Sequence, residues 1–244
     1  VSTTVVDPSG TKLVWALWGA DHTALRAPAL AGALATLGVT HLQVNLDDEH
    51  VADALRIPAG PTPVGAVVST WLPDDAAALD VRRVLAEAAS ALVGWRVEER
   101  RPLAPPETWD GDRSDCLANV AILRRPPELE HAEWRRRWLE EHTPVAIATQ
   151  ATFGYLQNVV LEQVGVLPDG VEPVAAVVEE LFPAAAVHDV HAFYGSGGDQ
   201  AELDDRITRL MASVARIGAD RGIDLVPTSR YLHDLGRLRE PAAG

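Results

Sequence analysis

The segment PVGAVVSTWLP at positions 63–73 returns as PVAAVVEELFP at 173–183, with the first two residues, the following AVV and the closing proline unchanged. A second echo lies upstream of each: GVTHLQVNL at 38–46 answers TFGYLQNVV at 152–160, with Leu42-Gln43 set against Leu156-Gln157. Two echoes in the same order point to a duplicated unit, and duplication limits the fold to one in which each half is a complete supersecondary element set.

The remaining segments fill that frame. KLVWALW (12–18) and CLANVAIL (116–123) are short apolar runs rich in strand formers, and each would open one copy. Helical stretches at 21–37 and 129–148 lead into the paired Leu-Gln strands. Further helices at 76–92 and 201–221 lead into closing strands WRVEERRPL (95–103) and DLVPTSRYL (224–232). Both copies then read βαββαβ, with repeat one at 11–103, repeat two at 115–235, and a Pro-, Gly- and Asp-rich surface connection at 104–114. A four-stranded antiparallel sheet with helices on one face leaves its other face apolar, and a second sheet can cover it. Apolar residues occupy both faces of KLVWALW and PVAAVVEELF, where a sheet with one wet side would alternate. The expected fold class is α+β: two ferredoxin-like βαββαβ repeats forming a single-chain barrel of the dimeric α+β type.

A formal net charge of -14 opposes a phosphate backbone, so no nucleic-acid partner is expected. No apolar run approaches a membrane span and the N-terminal stretch has no signal-like core, which gives no membrane partner and a cytoplasmic expectation. Cys116, the single cysteine, reads as a small buried thiol. His188 and His191 in the 184–200 insert make a weak metal signal without a third ligand, so no metal site is expected.

Chemistry concentrates in repeat two. Trp134, Trp138 and His142 are spaced by four and share one helical stripe, while Arg135, Arg136, Arg137, Glu140 and Glu141 read as a solvated face. Thr143-Pro144 reads as an N-cap and first-turn proline of a new segment, which places His142 at a helix end. On the second strand, Tyr155 and Gln157 share one face and Asn158 takes the other. Glu179 and Glu180 likewise face opposite ways, with Arg124 or Arg125 a candidate partner for a desolvated carboxylate.

LRRPPELEHAEWRRRWLEEHTPVA, followed by YLQN and VVEELF, resembles the EthD family of dimeric α+β barrel proteins. The resemblance rests on Arg125 and Pro127, Trp134 and Trp138, His142 and Pro144, Gln157 and Asn158, and Glu179 with Phe182. Repeat one departs from the pattern, with no His-x-Pro and with Ser69 where repeat two has Glu179. The resemblance implies a working second half and a structural first half. The relatives include polyketide cyclases, cofactor-free monooxygenases, decarboxylase-like enzymes and heme-handling proteins.

The expected function is a cofactor-independent enzyme of cyclase, dehydratase or decarboxylase type acting on a small aromatic or polyketide-like molecule. His142 and Glu179 would be catalytic, with Trp134, Trp138, Tyr155, Gln157 and Asn158 binding substrate. A non-catalytic ligand-binding barrel and a heme protein held through His142 are the alternatives, and the chain is expected to be a monomer or homodimer.

Overall fold

A computed structural model describes residues 10–236. The first half runs β1 (Thr11–Trp18), α1 (His22–Leu25), α2 (Pro28–Thr36), β2 (His41–Leu46), β3 (Val64–Leu72), α3 (Ala78–Ala86) and β4 (Ala91–Leu103). A short strand β5 (Asp110–Arg113) follows. The second half runs β6 (Cys116–Leu123), α4 (His131–Arg136), α5 (Thr143–Thr149), β7 (Gly154–Val164), β8 (Ala176–Pro183), α6 (Val190–Tyr194), α7 (Gln200–Arg216) and β9 (Asp224–Asp234).

The strands pair in the order β2-β3-β1-β4-β7-β8-β6-β9, and β9 returns to β2, so eight antiparallel strands close on themselves. Closure explains why both strand faces are apolar. β6 is buried at every position, one face under helices and the other inside the barrel. The expected βαββαβ order is present in both halves, although the 21–37 helix is split, because Pro28 starts a second helix after α1 ends at Leu25.

Three layers of packing follow. Leu13, Trp15, Leu17, Leu34, Val81 and Leu85 fill the space between sheet and helices in the first half. Ala121, Leu123, Trp134, Trp138, Tyr155 and Val178 stand in the corresponding space of the second. Val14, Ala16, Trp95, Val120, Val177 and Val226 fill one end of the barrel interior.

The other end is polar. Lys12, Glu99, Arg101, Glu107, Arg230 and Glu179 alternate in charge. Consecutive contacts measure 2.7 Å (Lys12–Glu99), 3.9 Å (Glu99–Arg101), 2.6 Å (Arg101–Glu107), 2.7 Å (Glu107–Arg230) and 3.1 Å (Arg230–Glu179). Three cations against three anions leave the series neutral, which is the condition for keeping charges in a low-dielectric interior.

Two sequence expectations need correction. The 104–114 connection is more than a surface link: Glu107 belongs to the buried charge series, and buried Trp109 sets its ring edge-on to Trp71 at 5.6 Å and to His41 at 4.9 Å. The Leu-Gln echo is one residue out of register. Ser69 of β3 and Glu179 of β8 correspond through the PVxAVV match, and Ser69 pairs with Gln43 whereas Glu179 pairs with Leu156. Gln43 therefore enters the barrel while Gln157 faces the helices, since a one-residue slip exchanges sheet faces.

Candidate functional site

The helix over the second sheet continues through His142 rather than ending there. Residues Arg137–His142 form a π-type turn between α4 and α5, and Thr143 is helical at φ -54° and ψ -47°, which corrects its reading as an N-cap. The Thr143 hydroxyl donates back to the Trp138 carbonyl at 2.9 Å, and Gln157 Nε2 of β7 donates to the Thr143 hydroxyl at 2.7 Å. Gln157 thus ties sheet to helix at the widened turn. Such turns recur where a helix must present side chains out of the ordinary α register. Here the side chains presented are Trp138 and His142.

Under that turn, between helices and sheet, lies a cavity of about 280 Å³. Its walls include Trp138, His142, Tyr155, Glu180, Asn119 and Gln150, with Ala121, Val178, Leu210, Val214 and Leu225 supplying apolar surface. Leu55 and Ile57 reach its mouth from the first half. Ile57 is held there by reciprocal backbone hydrogen bonds with Leu225, at 3.0 and 2.8 Å.

His142 Nδ1 lies 3.0 Å from the Ser213 hydroxyl of α7, so Nε2 is the nitrogen left for a ligand. Burial first and the Arg216 charge second lower the imidazole to about 4, so it is neutral at physiological pH. Glu180 is pushed the other way, up to about 7, by burial. Gln150, with its amide nitrogen turned toward the acceptors, donates to Glu180 Oε1 at 3.1 Å and to the Ala146 carbonyl at 3.1 Å. Tyr155 is raised by burial and then by the neighbouring Glu180, which keeps its hydroxyl protonated. Asn119 Oδ1 is buried in the cavity wall without a hydrogen-bond partner, whereas Trp138 Nε1 is directed at the Tyr155 hydroxyl. Unpaired polar atoms of this kind cost about 1–3 kcal/mol each unless a ligand or water meets them.

The structure brings together His142, Trp138 and Tyr155 of the residues singled out from sequence. Trp134 stands behind, stacked on Trp138 at 5.3 Å with its Nε1 donating to the Ile217 carbonyl at 3.1 Å. Gln157 supports the turn as described. Asn158 and Glu179 face the barrel interior, away from His142. Asn158 Nδ2 donates to the Val177 carbonyl at 3.1 Å. Glu179 Oε1 accepts from Gln43 at 2.8 Å, Asn45 at 2.8 Å and Arg230 at 3.1 Å. The partner of Glu179 is thus Arg230 rather than Arg124 or Arg125: Arg124 pairs with Asp224 at 2.8 Å, and Arg125 donates to backbone carbonyls.

The carboxyl group that shares the cavity walls with His142 is Glu180. Strand parity separates the two glutamates but does not say which parity faces the helix, and only the pairing of Glu180 with Tyr155 across β7–β8 settles it. Asn119, Gln150 and the first-half residues Leu55 and Ile57 carried no sequence signal.

His188 is a surface group and His191 is partly buried. His188 is 67% exposed beside Asp53, and His191 Nδ1 meets the Ser196 hydroxyl at 2.7 Å. Among the described residues no group of three His, Cys, Asp or Glu side chains could hold a metal ion, and no helix is long and apolar enough to cross a membrane. Burial raises the Cys116 thiol to about 11, which leaves it protonated and inert.

A solved anthrone oxidase-like protein superposes over 97% of this chain and 97% of its own, with a TM-score of 0.52 at 12% identity. The fold is that of the dimeric α+β barrels. A mutant chlorite dismutase from Candidatus Nitrospira defluvii aligns over 96% of this chain and 95% of its own, with a TM-score of 0.47 at 10% identity. No family model and no curated protein matches the chain. The barrel here is closed within one chain, and its second half holds a cavity between helix and sheet with ionisable walls.

Proposed function

We propose that this cavity is the active site of a cofactor-independent enzyme that moves a proton at a carbon next to a carbonyl of a small aromatic or polyketide-like compound. Cyclisation, dehydration and decarboxylation all pass through such a step. The observation that carries this reading is the pairing, in one apolar-walled cavity, of a neutral imidazole and a carboxyl group poised at about pH 7. Proton transfer is most efficient when the acid–base group titrates near the working pH, so Glu180 rather than Glu179 takes the carboxyl role. His142, held neutral, hydrogen-bonds to a substrate carbonyl through Nε2. That bond stabilises the enolate as its charge develops. The EthD resemblance supports the same half of the chain through Trp138 and His142.

Heme fits these walls poorly. Its two propionates call for cations, whereas the ionisable walls include Glu180 and Asp220 and no arginine or lysine.

The test needs no knowledge of the product. Exchange of the α-protons of acetophenone in D2O, followed by NMR, should be accelerated by the wild-type protein. Glu180→Gln should lose about a hundredfold or more of that rate, in keeping with the usual worth of a positioned acid–base group. Exchange unaffected by Glu180→Gln would overturn the assignment.

A further inference from the structure

A second chamber of about 210 Å³ adjoins the first and shares five wall residues with it: Leu55, Asn119, Phe193, Tyr194 and Leu225. Its own walls are apolar, with Ala54 from the first half, Leu117 of β6, Ala186, Val187 and Val190. Phe193 is fixed at the waist by stacking on Phe182 at 4.1 Å. His188 and Asp189 stand at the outer end. The inner chamber holds His142 and Glu180, the outer one holds no titratable side chain beyond that rim and the shared Tyr194, and Asn119 belongs to both. The Asn119 side chain is only 4% exposed, and its Oδ1 has no partner. An acceptor buried at the junction is satisfied by a donor carried on whatever spans the two chambers.

We propose that the substrate has two parts: a compact aromatic carbonyl head in the inner chamber and an apolar tail in the outer one, joined near a hydroxyl or amide N–H that donates to Asn119. This rests on the proton-transfer reading for the head, and adds that the outer chamber selects for tail length. Ala54 and Val190 border only the outer chamber, one from the segment crossing over from the first half and one from α6. They are the places at which it can be closed without touching the inner walls.

The experiment is calorimetric titration with phenyl n-alkyl ketones of increasing acyl length, acetophenone being the shortest. In wild type the affinity should climb about fourfold per methylene, the equivalent of about 0.8 kcal/mol per buried CH2, until the chamber is full. Ala54→Trp and, independently, Val190→Trp should flatten the series, so that the longest ketone binds no better than acetophenone. For a β-hydroxy ketone, Asn119→Leu should abolish the preference over its deoxy analogue. A flat series in wild type, with acetophenone bound, would overturn the tail chamber and leave the proton-transfer site standing. Absence of binding by every ketone would overturn both.

Discussion

The two halves build the same space between helix and sheet and fill it in opposite ways. In the first, Trp15 of β1 pairs with Val68 of β3 and Gly94 of β4. In the second, the residue placed between Val178 of β8 and Leu225 of β9 is Ala121. The Trp15 indole lies across Gly94 so closely that a Cβ there would come within 2.3 Å of the ring. Its Nε1 donates to Thr70 at 3.2 Å. Thr70 stands where the second half has Glu180, since both follow PVxAVV by the same count. One half thus closes its interior with an indole, a glycine and a hydroxyl. The other leaves an alanine, and a carboxyl group with room in front of it. A site comes from what is omitted as much as from what is added.

The largest effect that would sharpen this contrast is truncation of the plug. Trp15→Ala should destabilise the protein by about 3–5 kcal/mol in denaturant unfolding, the usual cost of emptying a fully buried aromatic position. Ala121→Leu, which adds volume where the second half is open, should cost well under that. Equal costs would mean the two spaces are packed alike.

Removal of Glu179 should be of similar size for a different reason. Glu179→Ala leaves Arg230, 1% exposed, with one carboxylate fewer in a buried charge series, and breaking a buried pair costs about 3–5 kcal/mol. It should leave ketone binding in the outer-face cavity intact. Loss of binding in a folded Glu179→Ala protein would break the separation of the barrel interior from the site.

A smaller effect reads out the two perturbed groups. Glu180 keeps its proton in the folded state up to about pH 7 and loses it near 4.5 when unfolded, so its contribution to stability is full below 4.5 and is lost as pH rises through 7. His142 stays neutral in the folded state down to about pH 4 but is charged below 6.5 when unfolded, so its contribution is full above 6.5 and is lost as pH falls to 4. The opposing slopes cancel between about pH 4.5 and 6.5. In that window Glu180→Gln should gain about 3 kcal/mol with rising pH, and His142→Gln should lose about as much. Flat profiles in both variants would show that neither group is perturbed. The smallest change expected is from Gln157→Leu, at about 1–3 kcal/mol, because it leaves the buried Thr143 hydroxyl without its donor.

Much of this fold was legible in the chain. The PVxAVV echo located β3 and β8 and set the βαββαβ frame, and apolar residues on both strand faces announced a closed barrel. His142, Trp138 and Tyr155 were legible because helical spacing and strand alternation are local. Glu180 was not separable from Glu179, since parity without pairing leaves the face undecided. The Leu42-Gln43 echo misled because similar composition carries no register. Trp15 read as one more strand apolar residue, and its meaning as a plug appears only when Gly94, 79 positions along, is set beside it. Glu107 and Trp109 were hidden by the turn-like residues around them.

The most direct test of whether the open half is the working half is to give it the closed half's interior. The triple variant Ala121→Trp, Leu225→Gly, Glu180→Thr copies the packing around Trp15, and α-proton exchange of acetophenone can be followed in the folded protein. Loss of both exchange and ligand-induced thermal shift, with unfolding still cooperative, is the expected result. Exchange persisting at the wild-type rate in that variant would contradict it and place the chemistry elsewhere in the barrel.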